Sequence, residues 1–308
     1  MNTLQLGNTD LYLPAYSIGT ATFGKVYGKI NEQNIALIVK TAIKNGLNYF
    51  DTSPYYGNKL SELNLGKALN NIPRDKYIIS TKVGRYGDEI FDFTETTICS
   101  SLKSSLKRLN IDYVDILYAH DVEYGDIDTI LNETLPALQK LKDDGLVRYI
   151  GFSCYPLDLI KKIIEKSTVN IDVVLSYGHY CLINDTLIDT IVPYLKDKQI
   201  GLVNASPLCM GLLTNSAPPE WHPASPGMLD TIDYIAHRLQ TRFRVNITNI
   251  ALNFPLKNSD IVTTLVGIRT MEDLNSLLKI CQENSNYNED IYEFIYNLLG
   301  KYNNYELE

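Results

Sequence analysis

Four side chains able to move or hold a proton stand at the ends of three apolar runs. Asp51 closes the run Gly46-Leu-Asn-Tyr-Phe50 and opens Thr-Ser-Pro-Tyr55-Tyr56-Gly57. Lys82 follows Tyr77-Ile-Ile-Ser-Thr81, and His120 follows Val114-Asp-Ile-Leu-Tyr-Ala119. A strand pattern that ends in Asp and then breaks at Ser-Pro and Tyr-Gly places a carboxylate and a phenol at a strand's exit. In a barrel of parallel strands that exit is the catalytic face. A tyrosine is a poor acid or base near neutral pH, because its unperturbed pKa is about 10. A lysine ammonium within hydrogen-bonding range favours phenolate and is expected to lower that value by roughly one to three units. Asp51, arriving from the adjacent strand, would keep Lys82 charged and aimed, and His120 would donate a hydrogen bond to a substrate oxygen. Proton transfer by Tyr56 beside a hydride acceptor is then a complete dehydrogenase mechanism. Each residue alone has an ordinary alternative: a structural histidine, a turn-capping Asp51, a packing Tyr56, a solvated Lys82. Four such residues at the right strand exits favour the catalytic reading.

The elements that must position them alternate strictly. Strand-like apolar runs cover 16–20, 48–51, 77–81, 114–119, 147–152, 173–176, 201–205 and 262–266. Amphipathic helical patterns lie between them at 32–45, 60–70, 93–108, 127–143, 157–166, 185–198, 228–242 and 270–281. Eight of each in one array predict an α/β fold, a (β/α)₈ TIM barrel forming a single domain over 1–308. Leu4–Asn8 and Leu11–Leu13 read as an N-terminal hairpin, and 289–299 as a C-terminal helix before a frayed Lys301–Glu308. No G-x-G-x-x-G follows any strand, which argues against an open dinucleotide-binding sheet. The Pro-rich stretch 217–226 holds the only Trp and reads as an ordered excursion over the barrel mouth.

Composition narrows the class. Hydrophobic residues make up 45% and charged residues 21% of 308, enough for a large core under an ordinary polar surface. A net charge of −8 with no basic block makes nucleic acid and anionic membranes poor partners. The five cysteines are scattered, lack C-x-x-C spacing and read as buried reduced thiols, with no metal site. No signal-peptide pattern opens the chain, so a cytoplasmic location is expected.

With these residues the chain resembles the aldo-keto reductases, whose tetrad is Asp, Tyr, Lys and His in this order. The resemblance runs from about Leu4 to Leu278 and carries the tetrad onto Asp51, Tyr56, Lys82 and His120. Tyr56 matches rather than Tyr55, because it lies five residues past Asp51 and precedes Gly57. The resemblance implies a nicotinamide dinucleotide across the barrel top. Its pyrophosphate stretch would be Ala205-Ser-Pro-Leu-Cys-Met-Gly-Leu-Leu213, with Ser206, Leu208, Gly211 and Leu213 in contact, and its adenosine side Leu265-Val-Gly-Ile-Arg-Thr270, with Gly267 and Arg269. Thr20 and the carboxamide-binding Ser153 complete the set, while Cys154 and Leu277 depart from the family's usual Asn. Asp273 stands where NADP-dependent relatives carry an arginine, which favours NAD over NADP. Within the family, the segments 51–57, 81–86, 175–180, 205–214 and 218–225 look like the branch that oxidises a free sugar, L-galactose, at its anomeric carbon. Tyr55, Tyr86, Tyr180, Trp221 and His222 are the implied substrate contacts. The alternatives are a broad NADPH-dependent reductase of aldehydes or ketones and a non-catalytic barrel of the accessory-subunit kind. The expected partner is a small sugar or carbonyl compound, and the expected state a monomer or homodimer.

Overall fold

The computed structural model describes residues 2–28, 30–283 and 287–306. Strands β1 (Thr3–Gln5) and β2 (Tyr12–Pro14) pair antiparallel, Leu4 opposite Leu13, as the hairpin pattern requires. Eight further strands run parallel: β3 (Tyr16–Gly19), β4 (Tyr49–Asp51), β5 (Ile78–Val83), β6 (Val114–Ala119), β7 (Val147–Ser153), β8 (Val173–Tyr177), β9 (Gly201–Ala205) and β10 (Thr263–Gly267). They close on themselves in the order β10-β3-β4-β5-β6-β7-β8-β9, the predicted barrel. Lys82 lies inside β5 rather than just beyond it, its Cα in register with Tyr118 of β6.

The helices are α1 (Glu32–Lys44), α2 (Leu60–Leu69), α3 (Glu95–Leu109), α4 (Ile127–Thr129), α5 (Leu135–Asp143), α6 (Leu157–Lys166), α7 (Thr186–Thr190), α8 (Val192–Asp197), α9 (Pro226–Phe243), α10 (Ile247–Asn253), α11 (Met271–Glu283) and α12 (Glu289–Leu299). In α1 the side chain of Asn31 caps the Gln33 N–H, and Ile35, Ile38, Val39 and Ala42 form the buried stripe. Two single patterns are broken helices. A π turn at Ile130–Thr134 separates α4 from α5, where the Thr134 hydroxyl donates to the Phe93 carbonyl. Pro193 in the first turn of α8 separates it from α7. Helix α10 has no counterpart among the predicted elements. Of the tail expected to fray, Lys301–Glu308, the described part is held: the Tyr305 hydroxyl accepts from the Ser225 N–H and its own N–H donates to the Ile183 carbonyl, while 307–308 lie outside the described residues.

Two apolar layers result. Leu6, Leu11 and Leu13 of the hairpin meet Tyr49, Ile116, Tyr118, Val173, Leu175 and Val203 inside the barrel, plugging its N-terminal end. Outward-facing residues such as Phe50, Ile79, Leu117 and Phe152 pack beneath the helices. Each fully buried side chain of this size contributes about 1.5–3 kcal/mol. The alternation leaves Asp51, Lys82 and His120 on the inward face, at the opposite end from the hairpin.

Candidate active site

Three of the four candidate groups meet at one ammonium. Lys82 Nζ donates to Asp51 Oδ2 at 2.5 Å, to the Thr52 carbonyl at 3.0 Å and to the Tyr56 hydroxyl at 3.1 Å, so all three of its protons are placed. Lys82 is 1% and Asp51 2% exposed, so the pair is shielded from water and its geometry is fixed by packing. Asp51 Oδ1 accepts from Ser80, whose hydroxyl meets Tyr49, which in turn reaches Tyr118. The Asp51 carbonyl takes the hydroxyl proton of Thr20. Behind β5, the buried Glu62 binds the Thr81 hydroxyl at 2.7 Å and Arg108 Nε at 2.6 Å, locking α2 and α3 against the strand that carries Lys82.

Tyr56 reaches the ammonium because two loops touch backbone to backbone. Gly57 has φ +59°, and a Cβ there would overlap the carbonyl of Gly24. Only glycine serves at that position, which is the physical content of the Tyr-Gly pair.

His120 is oriented by a chain that begins at Tyr55. The Tyr55 N–H donates to Ser53 Oγ at 3.1 Å, and Ser53 Oγ lies 3.1 Å from His120 Nδ1. Ser53 Oγ can donate to or accept from Nδ1, so this contact alone leaves the tautomer open. The carboxylate of Asp121, 3.5 Å from Nε2, favours the proton on Nε2, and Ser53 then donates to Nδ1. Burial lowers the His120 pKa to about 3, with Asp121 opposing, so the ring is a neutral donor at physiological pH.

The Tyr56 phenol departs from the expected direction. Burial, then the carboxylates of Asp51 and Asp121, raise its pKa well above 10, with Arg85 opposing. Lys82 alone would lower the phenol's pKa. The structure adds desolvation and the carboxylate that the same ammonium already neutralises.

Arg85 and Asp121, not among the sequence candidates, form the wall beside this centre. Arg85 NH1 meets Asp121 Oδ2 at 2.6 Å, NH2 donates to the Tyr55 hydroxyl, and the guanidinium lies 4.1 Å over the Tyr55 ring. Asp121 is held below the usual carboxylate range by His120 and Arg85 against the cost of burial. Glu123 accepts from the Tyr155 N–H and the Tyr177 hydroxyl, and burial raises its carboxyl pKa to about 7.

The remaining predicted contacts divide. Tyr55 is at the mouth, its ring edge-on to His120 at 5.9 Å. Trp221 is half exposed and packs edge-on against Tyr27 at 5.5 Å. His222 is committed: Nε2 donates to the Cys209 carbonyl at 2.8 Å and Nδ1 accepts from the Ala224 N–H at 3.0 Å. It anchors the excursion and has no ring nitrogen left for substrate. Tyr86 is partly exposed, its hydroxyl accepting from the Gly84 N–H, and Tyr180 is buried on Phe254 in the outer apolar layer.

Of the dinucleotide candidates, Thr20 is fully buried with its hydroxyl spent on Asp51 and Ser61, and Leu213 is core. Ser153 stands at the mouth, but its hydroxyl donates to Asp121 Oδ1 and accepts the Asp121 N–H. Leu277 is core as well, so its departure from Asn falls at a packing position. The exits of β9 and β10 fit an extended ligand better. Gly267 is exposed at the end of β10, where a Cβ would press on Thr22 at 3.1 Å. Beyond β9, Ser206 has φ +61° and Gly211 φ +102°, with Leu208 between them half-buried. Arg269 NH1 donates to the Tyr27 carbonyl and the residue is exposed, a cation beside both exits. Asp273 closes a capping box, accepting the N–H groups of Arg269 and Thr270 while its own N–H donates to Thr270 Oγ1. These residues fit a nicotinamide dinucleotide through backbone and Arg269 rather than through Thr20 or Leu213. Among the described residues, no group of three or more His, Cys, Asp or Glu is placed to hold a metal, and no helix is long and apolar enough to cross a membrane.

Known proteins resemble this chain in sequence and in fold. The profile of the Aldo/keto reductase family matches residues 16–295. L-galactose dehydrogenase of Arabidopsis thaliana is 44% identical over 272 residues, 87% of this chain and 84% of that one. D-arabinose 1-dehydrogenase of Saccharomyces cerevisiae is 34% identical, covering 81% and 78%. Among solved structures, the holo form of an aldo-keto reductase from Bacillus halodurans superposes with a TM-score of 0.79 at 26% identity, covering 97% of this chain and 96% of that one. With barrel, inward-facing polar groups and family profile in agreement over the same residues, the chain belongs to the aldo/keto reductase family of oxidoreductases.

Proposed function

We propose that the chain oxidises the anomeric carbon of a free aldose, L-galactose before others, to the lactone, with NAD as cofactor and Tyr56 as proton acceptor. The observation that carries this reading is the Lys82 ammonium bonded at once to Asp51 and to the Tyr56 hydroxyl. That contact stabilises phenolate as the anomeric hydroxyl gives up its proton. His120 Nε2–H donates to the same substrate oxygen and holds it in line. A bound nicotinamide dinucleotide would supply the hydride acceptor that oxidation of the anomeric carbon needs. Gly267, Gly211 and Arg269 are the residues that would hold the dinucleotide. The activities of the relatives described above support an aldose as substrate. Arg85, Asp121 and the Tyr55 hydroxyl supply fixed partners for ring hydroxyls. A wrong epimer would lose its hydrogen bonds to these groups, a larger penalty than lost apolar contact.

One observation favours a second reading, a broad NADPH-dependent carbonyl reductase. A phenol held neutral is ready to donate to a carbonyl oxygen, and Tyr56 is so held. Initial rates over a panel of aldoses with NAD and with NADP, beside simple aldehydes with NADPH, separate the two. Turnover of L-galactose with NAD above the other aldoses is the expected result. No turnover on any aldose with brisk aldehyde reduction would hand the site to the reductase.

A further inference from the structure

The five cysteines, read from sequence as independent reduced thiols, are not independent. Cys181 follows β8 and Cys209 follows β9, both are 0% exposed, and their Sγ atoms stand 3.1 Å apart across 28 residues of chain. Cys99 and Cys281 are half-buried, and Cys154 turns its thiol to the Pro156 carbonyl. A disulfide needs about 2.05 Å between sulfurs, so roughly 1 Å of movement separates this pair from a bond. The backbone around Cys209 is strained: Ser206, Cys209 and Met210 all have left-handed φ, at 61°, 47° and 53°, without being glycine.

We propose that Cys181 and Cys209 are a site of reversible oxidation, closing to a disulfide under hydrogen peroxide. The roles of the two sulfurs are set by their contact. Cys209 donates its S–H to Cys181, which holds the Cys181 thiol below its ordinary range against burial, while that contact and burial push Cys209 up. Cys181, as thiolate, attacks one peroxide oxygen; the O–O bond breaks, and the departing hydroxide takes up the thiol proton as water. Cys209 sulfur then attacks the resulting sulfenic sulfur, the S–O bond breaks, and hydroxyl leaves as water with the Cys209 proton. Two thiols are oxidised and one peroxide is reduced to two waters. The strained segment supplies the local opening through which peroxide reaches the sulfurs.

Closure pulls on more than two side chains. The Cys209 carbonyl accepts from His222, so the bond draws on the Trp221 excursion as well as on residues 206–211. Its effect on dinucleotide affinity rests on the placement of the cofactor given under the proposed function; formation of the bond does not.

The test exposes the reduced protein to peroxide, quenches, alkylates in denaturant and maps the peptides. Three of the five cysteines are expected to alkylate, with a cross-linked peptide joining 181 to 209 and all five recovered after dithiothreitol. Cys181→Ala should alkylate at all four remaining thiols, and Cys209→Ala, which keeps the attacking sulfur without its partner, should alkylate at three with Cys181 trapped by dimedone as the sulfenic acid; either variant suffices if the other fails to fold. Five alkylated cysteines, a lost pair mapped elsewhere, or oxidation of Cys99 and Cys281 ahead of the pair overturns the site. NADH titration of the oxidised protein should show at least a threefold change in Kd that Cys181→Ala does not show. A disulfide with unchanged NADH binding supports the oxidation site and overturns only the placement of the dinucleotide on 206–211.

Discussion

Both ends of the barrel bury a carboxylate against cations, and they differ in what is left over. At the hairpin end Asp115, 2% exposed, takes Arg74 at 2.6 Å and the Ile79 N–H at 2.8 Å on one oxygen and Arg148 at 2.8 Å on the other. Arg148 continues to Asp10 of the hairpin loop. Each oxygen is answered and the plug is closed. At the other end Asp51 and Lys82 are as deeply buried, yet the third ammonium proton is spent on a phenol at the mouth, and His120 presents Nε2–H beside it. The first cluster ends on groups that hold no exchangeable proton near neutral pH. The second is equally satisfied but ends on a phenol, Tyr56, whose proton can be exchanged, and that difference is what the proposed function draws on.

The sharpest way to break that comparison is to remove the phenolic oxygen. Tyr56→Phe leaves Lys82 its bonds to Asp51 and Thr52, so the unfolding midpoint should hold while kcat falls by at least ~10²-fold. Tyr55→Phe should cost far less, since that hydroxyl serves Arg85 and Asp88. Equal losses for both would remove Tyr56 from its role. The raised pKa also sets the pH dependence. A base whose pKa lies above 10 is increasingly ionised as pH rises toward that value, by about tenfold per unit. The rate of alcohol oxidation should therefore climb from pH 7 to 10 without a plateau, and a plateau near neutrality would show a phenol ionised far more easily than this geometry allows.

The hairpin end predicts the reverse pattern. Asp115→Ala strips the Ile79 N–H and two arginines of their acceptor. Arg74 and Arg148 are 21% and 37% exposed and can rehydrate, which keeps the loss to about 2–3 kcal/mol of stability. Denaturant unfolding should record that loss while kcat/KM stays within about twofold. A fall in kcat/KM comparable to that of Tyr56→Phe would mean that the two ends are not separable.

Why the sequence carried one end further than the other is visible in particular residues. The strand runs and their exits were legible, and with them the convergence of Asp51, Lys82 and His120. The substrate contacts rested on resemblance alone, and resemblance does not report local packing: two residues past Gly178, whose φ is +75°, Tyr180 is buried against Phe254. Arg85, which the resemblance did not name, meets Asp121 and Tyr55 instead. Helix α10 escaped because seven residues give too short a period to read. The Tyr56 pKa was misjudged because partners can be guessed from spacing and desolvation cannot.

The smallest expected effect concerns the cofactor's 2′ position. Asp273 places its carboxylate on the backbone N–H groups of Arg269 and Thr270 at the start of α11, and it is exposed. As a capping residue it is fixed in direction rather than free to swing away from an approaching phosphate. An exposed like-charge contact is screened, so discrimination against NADP from this source amounts to about 0.5–1 kcal/mol, a two- to fivefold preference for NAD. Asp273→Ala should raise kcat/KM with NADP by that factor and leave NAD nearly unchanged. It should also cost about 0.5–2 kcal/mol of stability through the lost cap. Arg269 supplies the opposing attraction, so Arg269→Ala should lower kcat/KM with NADP more than with NAD. Wild-type kcat/KM with NADP equal to or above that with NAD would show that the arginine, one turn from the carboxylate, governs the pocket.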